Sequence, residues 1–301
     1  MSSFISYLKD GISLGSIYAI IALGYTMVYG IAKMLNFAHG DVIMVGSYVV
    51  YVAVSGMGLN PILAILLSII ICTLMGVVIE GVAYRPLRNA ASPLAVLITA
   101  IGVSYLLQNV ALLIWGADTK SFSNVISLPS LKLAGGSIVI TGVTIITIIG
   151  GILIMAGLML FISKTKTGQA MLAVSEDKGA AQLMGINVNK YKVLAFILSG
   201  AFLGVMAILT ISYGSSMVAV TGMASMSRNF VPTMGCFFGL AFKKYGMPLP
   251  AIIIGEFVIN IIFFGFIALG APTAIQDVIT GLALLIIITV TTKATKGEIV
   301  K

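Results

Sequence analysis

Polar side chains that interrupt apolar stretches are the residues of this 301-residue chain whose types and spacing could do chemistry. The densest group, Asn36, His39 and Asp41, separates two apolar runs. Such a break is typical of discontinuous helices that contact substrate or move during gating in transporters. The alternative is an ordinary loop in which Asp41 caps the helix that it begins and His39 is solvated. The sequence leaves both interpretations open.

Further polar side chains could line a translocation path together with this polar break. Gln108 and Asn109 lie inside a later apolar run, and Tyr18 and Tyr25 are spaced to share approximately one face of the first helix. Hydrogen bonding between helices and core packing are the alternative roles for these side chains. The candidate path therefore consists of Tyr18, Tyr25, Asn36, His39, Asp41, Gln108 and Asn109.

The chain offers little for metal binding or catalysis. It has one histidine and two cysteines, and Cys72 and Cys236 both lie in apolar runs, where cysteines usually act as small buried hydrophobes. No Gly-Lys dipeptide occurs, so the phosphate-binding loop of nucleotide hydrolases is absent. We therefore expect no catalytic residue, no metal site and no cofactor.

The elements that must position these residues are membrane-spanning helices. Hydrophobic residues make up 59% of the chain and charged residues only 9%, whereas soluble domains average about 25% charged residues. The apolar runs are continuous rather than alternating, which disfavours a β-barrel. We predict an all-α, polytopic transmembrane helical bundle that forms a single domain over residues 1–301. The runs are Gly11–Ile31, Asp41–Ser55, Pro61–Tyr84, Pro93–Gly116, Ile138–Ser163, Val193–Tyr213, Phe230–Phe242, Leu249–Leu269 and Ala274–Thr292.

The number of spans and their orientation follow from run length and loop charge. The second and seventh runs are short for a full crossing, which needs about 17–25 residues, so eight or nine spans are expected. If the 164–192 loop is cytoplasmic, inside loops hold thirteen lysines and arginines and outside segments hold three, Lys9, Lys120 and Lys132. This positive-inside bias predicts a cytoplasmic C-terminus.

The 164–192 loop carries its own structural signals. Gln169–Met184 is rich in helix-forming residues, and Gly185 stands where a helix should stop. On one continuous helix Val174, Ala181 and Met184 would line a single face. A short helix with an apolar stripe is suited to docking into a partner, and the alternative is a helix resting on the membrane surface.

This loop and several other segments of the chain resemble a known family. Glu176-Asp177 followed by Gly185-Ile186-Asn187 is similar to the coupling loop of LivH-like permeases, the inner-membrane subunits of high-affinity branched-chain amino acid importers of the ATP-binding-cassette class. Ala180-Ala181-x-x-x-Gly185 also matches the coupling signature, although Gly179 stands where glutamate is usual. Several longer motifs resemble the family in the right order over residues 10–213: Gly15-Ser16-Ile17-Tyr18-Ala19, Ala22-Leu23-Gly24-Tyr25-Thr26, Asn36-Phe37-Ala38-His39-Gly40-Asp41, Tyr84-Arg85-Pro86-Leu87-Arg88 and Leu107-Gln108-Asn109.

The resemblance implies a transport subunit without enzymatic activity of its own. ATPase subunits would dock on the coupling residues, a second permease of the same or a different chain would complete the path, and an extracytoplasmic binding protein would deliver branched-chain or related amino acids. The expected location is the cytoplasmic membrane of a prokaryote. Another amino acid, urea or an amide as cargo, or an ion-coupled carrier that works alone, are the alternatives. The coupling residues implied are Glu176, Asp177, Ala180, Ala181 and Gly185.

Overall fold

A computed structural model of the chain describes residues 2–33, 36–87, 93–121, 129–133, 138–214, 216–217 and 248–296. These ranges are dominated by α-helices, as the apolar runs predict. The helices are α1 (Ser2–Ala32), α2 (His39–Tyr51), α3 (Pro61–Val78), α4 (Pro93–Trp115), α5 (Gly142–Lys164), α6 (Lys166–Glu176), α7 (Lys178–Leu183), α8 (Val188–Gly214), α9 (Pro248–Ala268) and α10 (Thr273–Lys296).

The prediction of a polytopic helical membrane protein is confirmed. Six helical stretches within the described ranges are long and apolar enough to cross a membrane, and a shorter apolar helix covers Ala274–Ile287. The count of eight or nine spans stays a prediction. The predicted seventh run, Phe230–Phe242, and Cys236 lie outside the described residues.

Two short antiparallel strand pairs accompany the helices. Strand β1 (Lys120–Ser121) pairs with β4 (Ser216–Met217), and β2 (Leu131–Leu133) pairs with β3 (Ile138–Ile140). The predicted fifth run therefore begins as a strand, and its helix starts only at Gly142. β-Branched residues favour the strand, and the Thr141 hydroxyl accepts a hydrogen bond from the Thr144 amide at 3.4 Å, in the manner of a helix cap.

Helices α2 and α3 both continue into wider turns. A π-helical segment, Val52–Gly56, follows α2, and another, Ile79–Tyr84, follows α3 and leads into a 3₁₀ turn over Arg85–Leu87. Between the two helices, the Asn60 side chain caps α3 by accepting a hydrogen bond from the Ile62 amide at 2.9 Å. Proline at the first position of α3 suits this start, because that amide would have no helical partner.

Chain contacts divide the molecule into two compact units, one of residues 24–126 and 156–226 and the other of residues 1–23, 127–155 and 227–301. In the first unit, α3 and α8 pack backbone against backbone, and α2 lies with Gly46 against small side chains of both helices. A Cβ added at Gly204 would lie 2.5 Å from Ile69 Cα, and one at Gly46 would lie 2.6 Å from Cys72 Sγ. Gly200 and Gly204, four residues apart on α8, thus provide the small-residue face that this close packing requires.

Polar side chains reinforce this three-helix core. The Ser68 hydroxyl lies 3.1 Å from the Gly204 carbonyl oxygen and 3.3 Å from that of Gly46, and the Cys72 thiol donates to the Val42 carbonyl oxygen at 3.5 Å. Cys72 is thus a small buried residue, as its apolar run indicates. Small side chains leave the room that these close helix approaches require.

The second unit contains a comparable approach between α1 and α9. A Cβ at Gly11 would meet Ile261, and a Cβ at Gly15 would meet Phe257. The Ser13 and Thr144 hydroxyls are 3.2 Å apart. Further along α9, Asn260 donates to the Glu256 backbone carbonyl at 2.8 Å, and both side chains are buried.

Candidate functional site

The carboxylate of Asp41 is the centre of a buried polar cluster between α2 and α4. Asp41 is completely buried, and its Oδ2 accepts a hydrogen bond from the Ser104 hydroxyl. The Gln108 side-chain amide donates to Asp41 Oδ1 at 2.9 Å and also lies 3.0 Å from Ser104 Oγ. Residues Ser104 and Gln108 meet Asp41 together because they are one helical turn apart on α4.

Asp41 does not act as the helix cap that the ordinary-loop interpretation assigns to it. The capping position of α2 is held by Ala38, whose side chain makes no capping hydrogen bond. Asp41 lies within the first turn of α2, where a carboxylate is also favoured by the helix dipole. Its side chain instead crosses to the neighbouring helix, so the ordinary-loop interpretation is wrong for this residue.

His39 and Asn36 are also buried in the same compact unit. The His39 ring lies edge-on to Tyr25, with ring centroids 4.7 Å apart, so the alternative of a solvated histidine is wrong. Asn36 Oδ1 accepts hydrogen bonds from the Ala38 amide at 3.2 Å and from the Tyr84 hydroxyl at 2.9 Å. The polar break is therefore an ordered turn held from α1 and from the end of the α3 region.

An apolar and aromatic cluster continues the α2–α4 interface beyond Asp41. The rings of Tyr48 and Trp115 are stacked, 4.3 Å apart and 12° from parallel. Met44 and Ala111 are buried beside them, and Val45, Tyr51 and Leu112 pack around this group. We call the interface from Asp41 to Trp115 the α2–α4 seam.

Asn109 is on α4 but does not face the seam. Asn109 is exposed, and its amide donates to the Tyr105 carbonyl of its own helix at 2.7 Å. One residue of helix separates it from Gln108, and that rotation of about 100° places the two on different faces. Tyr18 is half-buried and belongs to the compact unit that contains residues 1–23.

The 164–192 loop forms two helices rather than the one predicted. Asp177 has an extended backbone, with φ −142° and ψ 110°, and divides α6 from α7. Its Oδ1 accepts hydrogen bonds from the Gly179 amide at 2.8 Å and the Ala180 amide at 3.0 Å. A short acceptor side chain at a helix start competes with helix continuation, which explains the break.

Gly185 ends α7 as the sequence predicts. Its φ is +79°, a conformation that glycine adopts without the steric penalty of other residues. The Gly185 amide donates to the Gln182 carbonyl at 3.0 Å, and the Ile186 amide donates to the Ala181 carbonyl at 2.9 Å. This pair of bonds is a Schellman motif, which satisfies the last carbonyl groups of the helix.

The break at Asp177 also changes which side chains face outward. Val174 and Ala181 are buried, but Met184 is 81% exposed and Leu183 is 90% exposed. The prediction that Met184 shares one face with Val174 and Ala181 is therefore wrong, because α6 and α7 are not one continuous helix. Glu176, Asp177 and Ala180 are exposed. Ala181 is the buried side of α7. Leu183 and Met184, at the C-terminal end of the helix, form an exposed apolar tip.

Lys178 connects this loop to the end of α1. Its ammonium group lies 3.5 Å from the Ala32 carbonyl oxygen, within donating distance, and burial lowers the pKa of this amine. Ala32 is the last residue of α1, where carbonyl groups lack helical partners and cations are favoured. Lys33 follows with a φ of 58°, and its amide donates to the Tyr29 carbonyl at 2.9 Å.

Sequence reasoning missed Ser104, Tyr48, Tyr84 and Trp115 as members of these clusters. Ser104 is four residues before Gln108, and that spacing within an apolar run was the available signal. Tyr48 is seven residues after Asp41, which also places it on the same helical face. Nothing in the spacing indicated that α2 and α4 are neighbours, because that depends on tertiary packing.

The chain is similar to a family of membrane transport proteins. Residues 7–289 match the family model described as branched-chain amino acid transport system / permease component. The high-affinity branched-chain amino acid transport system permease protein BraD of Pseudomonas aeruginosa is 41% identical over 218 residues, 68% of this chain and 70% of that protein. LivH of Escherichia coli, with the same functional description, is 38% identical over 222 residues, again 68% and 70% of the two chains.

A more distant relative also has a name that describes a branched-chain amino acid permease. The probable branched-chain amino acid transport permease protein LivH of Methanocaldococcus jannaschii is 30% identical over 205 residues, 66% of this chain and 63% of that protein. No solved structure matches this chain significantly.

Proposed function

The chain belongs to the permease-component family of branched-chain amino acid transport systems, and from that premise we propose that it forms part of the membrane path of an ATP-driven importer for branched-chain or related amino acids. It works in the cytoplasmic membrane of a prokaryote, beside a second permease subunit. Separate ATPase subunits drive it, and an extracytoplasmic binding protein supplies its substrate. The chain has eight or nine spans, a cytoplasmic C-terminus and no catalytic centre.

The exposed apolar tip of α7 is the observation that carries this proposal. Leu183 and Met184 project from a loop rich in charged residues, while Ala181 on the same short helix is buried. Adjacent apolar side chains that are exposed at the end of a short helix are suited to contact with a protein partner. We assign the contact with the ATPase subunit to this tip, which the five coupling residues position.

Each coupling residue has a distinct proposed role. Asp177 caps α7 and sets its direction, Ala181 seats it against the rest of the chain, and Gly185 ends it. Glu176 and Ala180 are exposed beside the docking tip. Lys178 carries movement of the loop to the cytoplasmic end of α1 through the Ala32 carbonyl.

The candidate path begins with the side chains around the polar break. Asp41, Gln108, His39, Tyr25 and Asn36 are buried polar groups in the compact unit that also carries the coupling loop. Polar side chains at membrane depth are costly and usually serve transport or helix association. We propose that closure of the ATPase subunits moves the loop and changes access to this group. Asn109 and Tyr18 are retained only as peripheral members.

The test is ATP-dependent uptake by the full importer in proteoliposomes. The double variant Leu183→Glu/Met184→Glu should reach the membrane, lose uptake and fail to retain the ATPase on purification, because a buried unpaired charge opposes docking. The matched control, Leu183→Met, keeps an apolar tip and should retain both properties. Full ATPase retention and normal uptake by the double variant would contradict the docking assignment. Uptake without any ATPase subunit, driven by an ion gradient, would identify a carrier instead.

A further inference from the structure

We propose that the α2–α4 seam binds the amino acid itself, holding its ammonium group at Asp41 and Gln108 and its apolar side chain against the Met44–Tyr48–Trp115 cluster. This inference rests on the proposed function and names the site at which this chain recognises its substrate.

The charge of the seam calls for a cation. Asp41 is completely buried, and the side chains that donate hydrogen bonds to it, Ser104 and Gln108, are neutral. Within the described ranges, no lysine or arginine forms an ion pair with it. A carboxylate withdrawn from water without an opposite charge is costly, so the site favours a ligand that brings a positive group.

The hydrogen-bonding capacity of the seam matches an ammonium group. A carboxylate has about four acceptor positions, and Ser104 and Gln108 occupy two of those on Asp41. Gln108 Oε1 is buried and has no hydrogen-bond partner among the described residues. Two remaining positions on Asp41 and the Gln108 oxygen together suit the three donors of an ammonium group.

A second buried polar atom on the seam is available for the other end of a zwitterion. The Tyr48 hydroxyl has no hydrogen-bond partner within the described part of the chain. Tyr48 lies seven residues after Asp41, about 10 Å along the helix axis, and helical side chains lean back toward the N-terminus. Its hydroxyl serves as the donor for the ligand carboxylate.

The apolar part of the seam suits the ligand side chain. Met44 lies between Asp41 and Tyr48 on α2, and Ala111 and Trp115 face them from α4. Methionine adapts its shape to a neighbour, and a stacked aromatic pair forms a rigid wall. An aliphatic side chain fits such surroundings, whereas a second charged group would remain unpaired there.

The seam can open without disturbing the tight core. Gly204 lets α8 lie against the backbone of α3, and Gly46 lets α2 lie against small side chains of both helices. The contacts between α2 and α4 are instead the side-chain hydrogen bonds of Asp41 and the stacked rings of Tyr48 and Trp115. A displacement of α4 therefore exposes Asp41 and Gln108 while the other two helix contacts persist.

The test measures direct binding of radiolabelled L-leucine to the detergent-purified full importer, in the absence of the binding protein. Wild type should bind leucine, and 2-hydroxy-4-methylpentanoate, which lacks the ammonium group, should compete poorly. Asp41→Asn should weaken binding about 10- to 100-fold, because it removes a charged hydrogen-bond partner. Trp115→Ala should enlarge the apolar part and shift preference toward phenylalanine. The matched control, Glu256→Gln, makes the same chemical change at another buried position and should leave leucine affinity unchanged.

The outcomes separate this inference from the proposed function. Unchanged leucine affinity in Asp41→Asn and unchanged selectivity in Trp115→Ala would overturn the seam as the site. Absence of leucine binding by wild type, together with normal ATP-driven uptake, would also overturn it while the importer assignment survives. Should Asp41→Asn fail to assemble, Trp115→Ala and Tyr48→Phe test the same surface, and normal affinity and selectivity in both would exclude it. Failure of wild type to take up any amino acid with ATP would instead contradict the proposed function.

Discussion

The two sides of α2 are held in different ways. Toward α3 and α8, the backbone of α2 at Gly46 lies against small side chains, and a Cβ there would lie 2.6 Å from Cys72 Sγ and 2.8 Å from Ala207 Cβ. Toward α4, contact is made by the carboxylate of Asp41 and by the ring of Tyr48. Contacts through glycine backbone and small side chains leave few rotamers to exchange, whereas the contacts of Asp41 and Tyr48 can be remade with a ligand. One side of α2 is therefore a scaffold and the other can rearrange.

The largest effect is expected where this scaffold is overfilled. Gly204→Ala places a Cβ 2.5 Å from Ile69 Cα, and backbone cannot move aside as a side-chain end can. Overpacking of this kind commonly costs 1–3 kcal/mol, and we expect about 3 kcal/mol here. Thermal unfolding of the purified protein in detergent would report the loss, together with lower membrane abundance.

Gly102→Ala is the matched control for this substitution. Gly102 lies on α4 with no atom within 4 Å of its Cβ position, so the same change should be neutral or slightly stabilising. Equal destabilisation by the two substitutions would show that the loss at Gly204 does not come from its close approach to Ile69.

A smaller effect is expected at the seam itself. Ser104→Ala removes the hydroxyl that donates to Asp41 Oδ2. Hydrogen bonds to charged groups contribute about 1.5–3 kcal/mol, and we expect a loss of about 2 kcal/mol in the free energy of unfolding. The midpoint of thermal unfolding in detergent measures it.

Ser212→Ala provides the comparison for the seam serine. The Ser212 hydroxyl is buried without a hydrogen-bond partner among the described residues. Its removal should therefore be neutral or stabilising, since an unsatisfied polar group is costly to bury. Identical midpoints for the Ser104 and Ser212 variants would indicate that the Asp41 contact contributes nothing to stability.

Composition and run length were sufficient to predict the membrane helices but not their partners. The continuous apolar runs reflect the 3.6-residue repeat only weakly, because a helix that is surrounded by lipid and protein is apolar on every side. The seam depends on α2 and α4 being neighbours, and no local pattern encodes that. The four-residue spacing of Gly200 and Gly204 is a local signal of a different kind, because small residues on one helix face let another helix approach closely.

The coupling loop illustrates the opposite limit. Helix propensity over Gln169–Met184 is high throughout, and it predicted one helix. Asp177 overrides that propensity because its carboxylate satisfies the Gly179 and Ala180 amides in place of continued helical bonds. The positive φ of Gly185 was predictable, because only the backbone conformation at a helix end was needed.

The turn that precedes α2 should respond more weakly than the seam. Tyr84→Phe removes the hydroxyl that donates to Asn36 Oδ1 at 2.9 Å and leaves the ring, which lies 5.5 Å from that of Phe196. A neutral hydrogen bond contributes about 0.5–1.5 kcal/mol, so the unfolding midpoint should fall by less than in Ser104→Ala. A larger fall than at Ser104 would place the main polar support of α2 in the turn rather than the seam.

The smallest effect is expected at Asn109, and it tests whether the seam ends where the geometry of α4 places its edge. Asn109 is exposed, and its side-chain amide donates to the Tyr105 carbonyl of its own helix. Asn109→Ala should therefore change the free energy of unfolding by less than about 0.5 kcal/mol. Its neighbour Gln108 contacts Asp41 and Ser104, so Gln108→Ala should be clearly destabilising in the same thermal measurement. Both side chains are amides in adjacent positions, and only the helical rotation between them separates their environments. Loss of assembly or uptake in Asn109→Ala would show that the outer face of α4 contacts another subunit, and the seam would then be one of two functional faces on that helix.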